Sequence, residues 1–504
     1  MMERRSFFCS TMSAALAKAA VFHPLRAAAQ DFIWDFIVVG AGTAGMPAAI
    51  FAADRGARVL MIEAAPQIGG TLTIAGGEIC GAGTKTQARF GIIGDHPDIH
   101  FEDIMRMSNG LADPKIVRRT VDNAAAMIDW IDDRGWDCRP GHIIDGTNFG
   151  QPGYSMRRYY QAEGGGKTMS DLFVRELGTR VDSGRITVLV NTKATEFLAS
   201  DNGVVEGVRV RAGKDTVAYR GRHVLVTSGG YAMNPDMFKS LVNVPAYVND
   251  SYAYCVGDGL SMAANIGAAL RGANLHRPGS GSILTTDTWP AKVYARFDTR
   301  PQVRPPWEIW VNDGGRRFVN EESPNRATRE QALLGQPRLR FSIVFDDAIL
   351  NAAPPGITDW SRDKFAAQFN TQPMFYKADT LEELAKRTQL DATGLAETVS
   401  IYNKAVGDRT ADPHGRKHRP LPVAQAPYYA VVQHGDSATS SVGISVDTGL
   451  QALRVDGTPI PNLYVAGEAL GSGATIGNAF VPGMMITPAM TLGRWLGMTL
   501  TIQS

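Results

Sequence analysis

The stretch Asp35–Ala65, DFIVVGAGTAGMPAAIFAADRGARVLMIEAA, decides the fold. Asp35 to Val39 is a short apolar run closed by glycine, the pattern of a strand buried on both faces. Gly40, Gly42 and Gly45 then space out as G-x-G-x-x-G. A run of small residues follows, suited to a helix lying close on a sheet, and a second apolar strand ends on Glu63. The glycines give a tight turn, a close approach to a pyrophosphate, and close helix–strand packing, with the helix N-terminus facing the phosphates. Glu63 stands near the interval of about 20 residues expected of an acid that binds ribose hydroxyls. The four features in order predict an α/β, Rossmann-like dinucleotide-binding domain.

Three further segments extend this reading. The stretch Pro66–Gly83, PQIGGTLTIAGGEICGAG, is a second glycine-rich segment, which fits FAD better than the shorter contact surface of NAD. VLVTSGGYAMNP (Val224–Pro235) and IPNLYVAGEALGSG (Ile460–Gly473) are two more strand–glycine turns. Their wide separation predicts one FAD domain assembled from both ends of the chain.

The chain has 504 residues, more than one ordinary core holds. Net charge is +1, so nothing marks a nucleic-acid footprint. Arg4-Arg5, then Phe7-Phe8, a small-residue apolar run and Ala27-Ala28-Ala29 form a twin-arginine-type export pattern over residues 1–29. The expectation is a periplasmic protein starting near Gln30, with no membrane span in the mature chain. Cys80, Cys138 and Cys255 remain after Cys9 leaves, too few and too scattered for a disulfide framework. His96/His100 and His414/His418 have i,i+4 spacing, but Pro97 and the DPHGRKHRP turn argue against helices there and no third ligand lies near, so no metal is expected.

At this point the chain resembles the superfamily of FAD-dependent fumarate reductases and 3-ketosteroid dehydrogenases. The resemblance is carried by VVGAGTAG, GGTLTIAGG, TSGGYAMN, VGDGLSMAANIGAAL, GGRRFVNEE and LYVAGEALGSGATIGNAFVPGMMITPAMTLG, in that order. It implies an FAD domain (30–279 and 426–504) interrupted by an α+β capping domain (280–425). It further implies FAD contacts from Gly40, Gly42, Thr43, Ala44, Gly45, Glu63, Gly70, Thr71, Ala75, Gly76, Gly77, Gly229, Asp258, Gly467 and Glu468. Met485 and Ile486 would face the flavin ring. The activity implied is dehydrogenation or reduction of a carbon–carbon bond conjugated to a carbonyl, with a cytochrome or quinone as electron partner.

The chain departs from the fumarate reductases at three places. Their arginine four residues after the Glu of the RFVNE motif falls at Asn325, a neutral side chain with no proton to exchange. Their substrate histidine falls at Thr439 and a second substrate arginine at Phe480. Two carboxylate anchors are thus missing, which disfavours a dicarboxylic substrate. GYSMRRYYQAEGGGKTM (Gly153–Met169) is similar to the ketosteroid dehydrogenase segment bearing an active-site tyrosine, matched by Tyr159 and Tyr160. His434 falls where that family has a hydroxyl donor. Trp289, Tyr294, Trp307 and Trp310 crowd the cap and suit an apolar substrate. The leading expectation is therefore a mostly apolar ketone substrate, with Tyr159 or Tyr160 moving the proton. An adjacent cation (Arg157, Arg158 or Arg326) would lower the phenol's pKa, and His434 would polarise the carbonyl. The alternatives are an enoate reductase fed by a cytochrome, or an electron-transfer flavoprotein whose catalytic loop has decayed.

Residues 69 to 83 contain no histidine to tether FAD. Acid precipitation of the purified protein should therefore release all of the yellow colour into the supernatant; colour left in the pellet would show a covalent link.

Overall fold

The computed structural model describes residues 32–502; the expected export segment lies outside them. In chain order the elements that build the site are β1 (Ile33–Val39), α1 (Gly45–Asp54), β2 (Val59–Ile62), β3 (Ile186–Leu189), β4 (Asp215–Val226), β5 (Gly279–Leu284), α2 (Arg326–Leu334), β6 (Arg340–Asp346), β7 (Tyr428–Asp436), β8 (Pro459–Val465) and α3 (Ile486–Thr499).

The larger sheet runs β8–β4–β1–β2–β3, with Gln451–Leu453 outside β8 and an antiparallel hairpin, Lys193–Ala199 and Val205–Ala212, added through β4. The central strands are parallel, and their register aligns the carboxyl ends: Val39 pairs with Ile62 and with Val226, and Val226 with Val465. Every strand-ending turn noted in the sequence thus opens on one edge, where ligands of open α/β sheets bind. β8 takes its place in this sheet from late in the chain, after the strands of the second sheet.

α1 is buried along its length except at Asp54, because its small side chains let it lie between the sheet and α3. The contact is made by backbone. Ala44, the N-cap of α1, and Ala48 and Ala52 within it recur at intervals of four, so they share one face. Gly493 and Gly497 recur likewise on α3. A Cβ at Gly493 would collide with the Ala44 carbonyl, and one at Gly497 with that of Ala48.

A second sheet, all antiparallel, has β7 at its centre, flanked by β6 on one side and by β5 and Phe375–Ala378 on the other. Its core of Ile283, Trp310, Phe341, Phe345, Leu395 and Val431 is separate from that of the first sheet. β7 carries this second body past residue 425, where the sequence put its end. Trp310 is core here, Trp307 packs on His418 at 5.5 Å, and Tyr294 is exposed.

A third, three-stranded sheet joins Glu78–Cys80, Tyr159–Ala162 and Cys138–Ile144, with the Tyr159 strand in the middle. The segment between its first strand and the other two corrects one expectation. Pro97 does not prevent a helix; it occupies the first turn of Pro97–Met107, where a missing N–H costs nothing, and His96 caps that helix.

Gly493→Val should cost about 3 kcal/mol by overpacking the α1–α3 seam and should loosen FAD. Gly407→Ala, which meets open space, should change stability by less than about 1 kcal/mol. Urea unfolding with flavin fluorescence checks both; equal midpoints would show that the seam is not tight.

Candidate active site

The carboxyl edge of the first sheet forms a cradle. Gly40 has φ +106, and a Cβ there would sit 2.6 Å from the Thr227 carbonyl oxygen; one at Gly45 would run into the Gly40 carbonyl. Gly42 and Gly70 face each other so closely that a Cβ on Gly70 would lie 3.0 Å from the Gly42 Cα. Two glycine-rich segments therefore meet with only hydrogens between them. Glu63 directly follows β2, with both carboxylate oxygens on backbone amides, Ala41 at 2.8 Å and Ala65 at 2.9 Å. Burial pushes its pKa upward against these bonds. α1 and α3 both begin without a side-chain cap and without an acid in the first turn, leaving two positive helix ends open.

The remaining cofactor candidates lie around this edge. Thr71 Oγ1 contacts Cys255 Sγ at 3.4 Å, and the Ala75 carbonyl accepts from Gly166. A Cβ on Gly76 would strike the Glu78 carboxylate. Gly229 lies 3.4 Å from Cys255 by the same measure, and Gly467 lies 3.0 Å from the Ala44 side chain. Glu468 accepts from the Ser440 amide at 2.8 Å. Asp258, in the first turn of Asp258–Asn265, is ion-paired to Lys193 at 2.8 Å. Met485 is the N-cap of α3, and Ile486 its first residue. The open turns, the acid at the end of β2 and the two bare helix ends fit a dinucleotide. Gly40, Gly42, Thr43, Ala44 and Gly45 could hold its pyrophosphate, and Glu63 a ribose.

A narrow, partly open pocket is lined by Met107, Gly150, Pro152, Asn325, Arg326 and Phe480, among others. The loop before α2 explains its residues. Asn325 is the N-cap, its Oδ1 accepting from the Thr328 amide at 3.3 Å, so the side chain is spent on starting the helix. Arg326 is the first helical residue. Its guanidinium lies 4.2 Å over the Phe480 ring, and its Nε donates to Glu330, one turn on, at 2.7 Å. Arg277 reaches the same carboxylate at 2.8 Å and the same ring at 5.5 Å. Underneath, buried Arg317 is clamped by Glu321 and Asp412, each at 2.6 Å, which fixes the loop 316–325.

The tyrosines stand elsewhere. The Tyr160 hydroxyl donates to the Gly81 carbonyl at 3.0 Å and shares a 2.7 Å bond with Thr84; its ring is fully buried. Tyr159 packs its ring against Phe149 at 5.6 Å. Burial pushes both phenols up, not down as expected from a neighbouring cation. Arg158, the buried cation of that segment, is held instead by Asp95 at 2.6 Å and by Asp103, and Arg157 is exposed. His434 lies in β7, wholly buried, with Nε2 on Asp287 and its ring against Tyr247 at 4.7 Å. Neither the tyrosines nor His434 line the pocket.

Two participants were not singled out from sequence: Arg277 and Glu330. The i,i+4 interval from Arg326 to Glu330 was a usable signal; nothing local marked Arg277.

The family model described as FAD binding domain matches residues 35–480. The chain belongs to the FAD binding domain family. Fumarate reductase (cytochrome) of Shewanella frigidimarina is 28% identical over 485 residues, covering 94% of this chain and 78% of that protein. The open conformation of a flavocytochrome c3 fumarate reductase matches with a TM-score of 0.66 at 26% identity, over 93% of this chain and 78% of the other. The 3-ketosteroid delta1-dehydrogenase from Sterolibacterium denitrificans shares the fold, with a TM-score of 0.64 at 20% identity over 92% and 98%. The superfamily inferred from the sequence is thereby established, and the protein is an FAD-dependent oxidoreductase acting on CH–CH groups.

His276, beside Arg277, offers a test of the site's electrostatics. Burial, aided by Arg277, lowers its pKa from 6.5 to about 4. The unfolded chain takes up a proton near pH 6.5 that the folded chain refuses until about pH 4, so stability falls as pH drops through that window. At about 1.36 kcal/mol per unit the loss is roughly 3 kcal/mol. His276→Gln should remove this share of the acid sensitivity in urea titrations at pH 7, 5.5 and 4; parallel curves for the two proteins would refute it.

Proposed function

We propose that the enzyme interconverts an alkene conjugated to a single carboxylate and its saturated counterpart, the rest of the substrate being apolar. The observation that carries this is Arg326, which lines the pocket over the Phe480 ring, with Arg277 outside the lining bound to the same carboxylate and near the same ring. Two guanidiniums share one carboxylate, leaving positive charge beside an aromatic ring and the apolar surfaces of Met107, Pro152, Ala327 and Ala479. A carboxylate removed from water needs such a partner. An apolar ketone would not, and His434, expected to polarise a carbonyl, is committed to Asp287 within the second sheet.

FAD, when bound in the cradle, supplies the two-electron chemistry at one carbon of the bond. Gly40, Gly42, Thr43, Ala44, Gly45, Gly70, Thr71, Ala75, Gly76, Gly77, Gly229, Gly467, Glu468, Met485 and Ile486 hold it without a covalent link. Glu63 and Asp258 serve as its acids. Arg326 holds the charge that develops on the carboxylate oxygens and returns a proton to the second carbon in the reducing direction. Asn325 positions Arg326 by starting its helix. Tyr160 supports the third sheet, since a hydroxyl already bound to Thr84 and Gly81 has no substrate to serve, and Tyr159 packs its ring on Phe149 away from the pocket lining.

Export to the periplasm by the twin-arginine-type leader, and electrons exchanged with a cytochrome or quinone, belong to the same reading. Its support is Arg4-Arg5 and a relative whose name includes a cytochrome. Among the described residues no helix is long and apolar enough to cross a membrane.

The test is reoxidation of dithionite-reduced enzyme by cinnamate in a stopped-flow instrument. Arg326→Ala should slow it by roughly 10² to 10⁴ with FAD still bound, whereas Tyr160→Phe should stay within about tenfold of wild type. The opposite ranking would return the proton to the tyrosine.

A further inference from the structure

Glu330 is wholly buried, one turn into α2. A single oxygen, Oε1, accepts from Arg326 and from Arg277, while Oε2 is buried without a hydrogen-bond partner among the described residues. Such a carboxylate is expensive to bury unless its surroundings compensate it. Burial raises its pKa, but Arg277 and Arg326 outweigh that and hold it below the usual carboxylate range. Of the other nearby charges, Asp436 is paired with Arg296 at 2.8 Å and Asp298 with Arg300 at 2.8 Å, while Arg329 is buried on the neutral Ser323 carbonyl and adds a cation that all variants below retain. The two guanidiniums that stack on Phe480 are therefore bridged through one acid and do not act as independent anchors.

We infer that Glu330 is a specificity-determining residue that sets how many negative charges the pocket accepts. With its charge, the Arg277–Arg326 pair presents a net of one positive charge and suits a monocarboxylate. Without it, the pair presents two and suits a dicarboxylate. The inference rests on the carboxylate reading of the pocket and adds to it which residue selects among carboxylates. One unit charge a few ångströms from a bound ion shifts binding by roughly tenfold or more even at a high effective dielectric constant.

The experiment uses oxidised holoenzyme and two saturated ligands with the same apolar body, 3-phenylpropionate and phenylsuccinate, titrated by calorimetry. Wild type should bind the monoanion about tenfold more tightly than the dianion. Glu330→Gln should reverse that order, and Glu330→Asp should keep it. The double variant Arg277→Gln/Glu330→Gln restores the net charge and should restore the monoanion preference, an outcome that a purely structural role for Glu330 does not produce. Should Glu330→Gln fail to fold, Arg277→Gln alone carries the test, because the pair is then neutral and the dianion must lose more affinity than the monoanion. An unchanged preference in Glu330→Gln with FAD retained, or a reversed preference that the double variant leaves reversed, overturns the inference while leaving the carboxylate reading intact. Wild type that binds neither ligand overturns both.

Discussion

The register of four parallel strands is the constraint on which the molecule depends. Val39, Ile62, Val226 and Val465 end their strands side by side. Each is followed by a turn or an acid that lines the cradle. A slip of one residue in any pair would move a glycine turn away from its neighbours and turn the strand's side chains to the opposite layer. The buried backbone contacts follow from the same alignment. The Thr227 carbonyl meets Gly40, and Ala44 meets Gly493, because the strand ends bring those segments to one level.

The second body has a different role. It has its own sheet and its own core, and it contributes the loop and helix that bring Arg326 to the pocket. The clamp on Arg317 and the cap at Asn325 are two ways of fixing one short segment. A guanidinium on a long side chain loses much rotamer freedom when it is positioned, about 2 kcal/mol. Fixing its backbone and resting its plane on Phe480 reduces how much of that is lost on substrate binding. The pocket's chemistry thus depends on a rigid loop as much as on the identity of the residues in it.

The first sheet was legible in the sequence because its signal is local: a buried strand, three glycines at fixed intervals, a helix of small residues and a terminal acid all lie within Asp35–Glu63. The late-chain strand Ile460–Val465 was legible for the same reason. The candidate site was less so. The sequence shows a neutral side chain at Asn325, but its reason for being there, capping α2, needed the helix boundary. Tyr159 and Tyr160 look like catalytic groups in sequence; their burial depends on pairing with Glu78–Cys80 and Cys138–Ile144, contacts that no local pattern encodes. Arg277 meets Glu330 and Phe480 only through the tertiary fold, so a reading that aligned one residue against one expected residue saw a missing arginine at Phe480 and not the cations stacked on it.

The weave of the first sheet has a consequence for how the protein is made. β4 lies between β1, near the start of the described chain, and β8, which follows the whole second body. α3, later still, supplies the surface against which α1 closes. During synthesis the early strands leave the ribosome long before either partner exists, and they must wait while the second body, with its own core, collapses first. The cradle becomes complete only after β8 and α3 have emerged. The state of that one edge therefore reports whether both sheets have folded, because β8 and α3 reach it only after the second body.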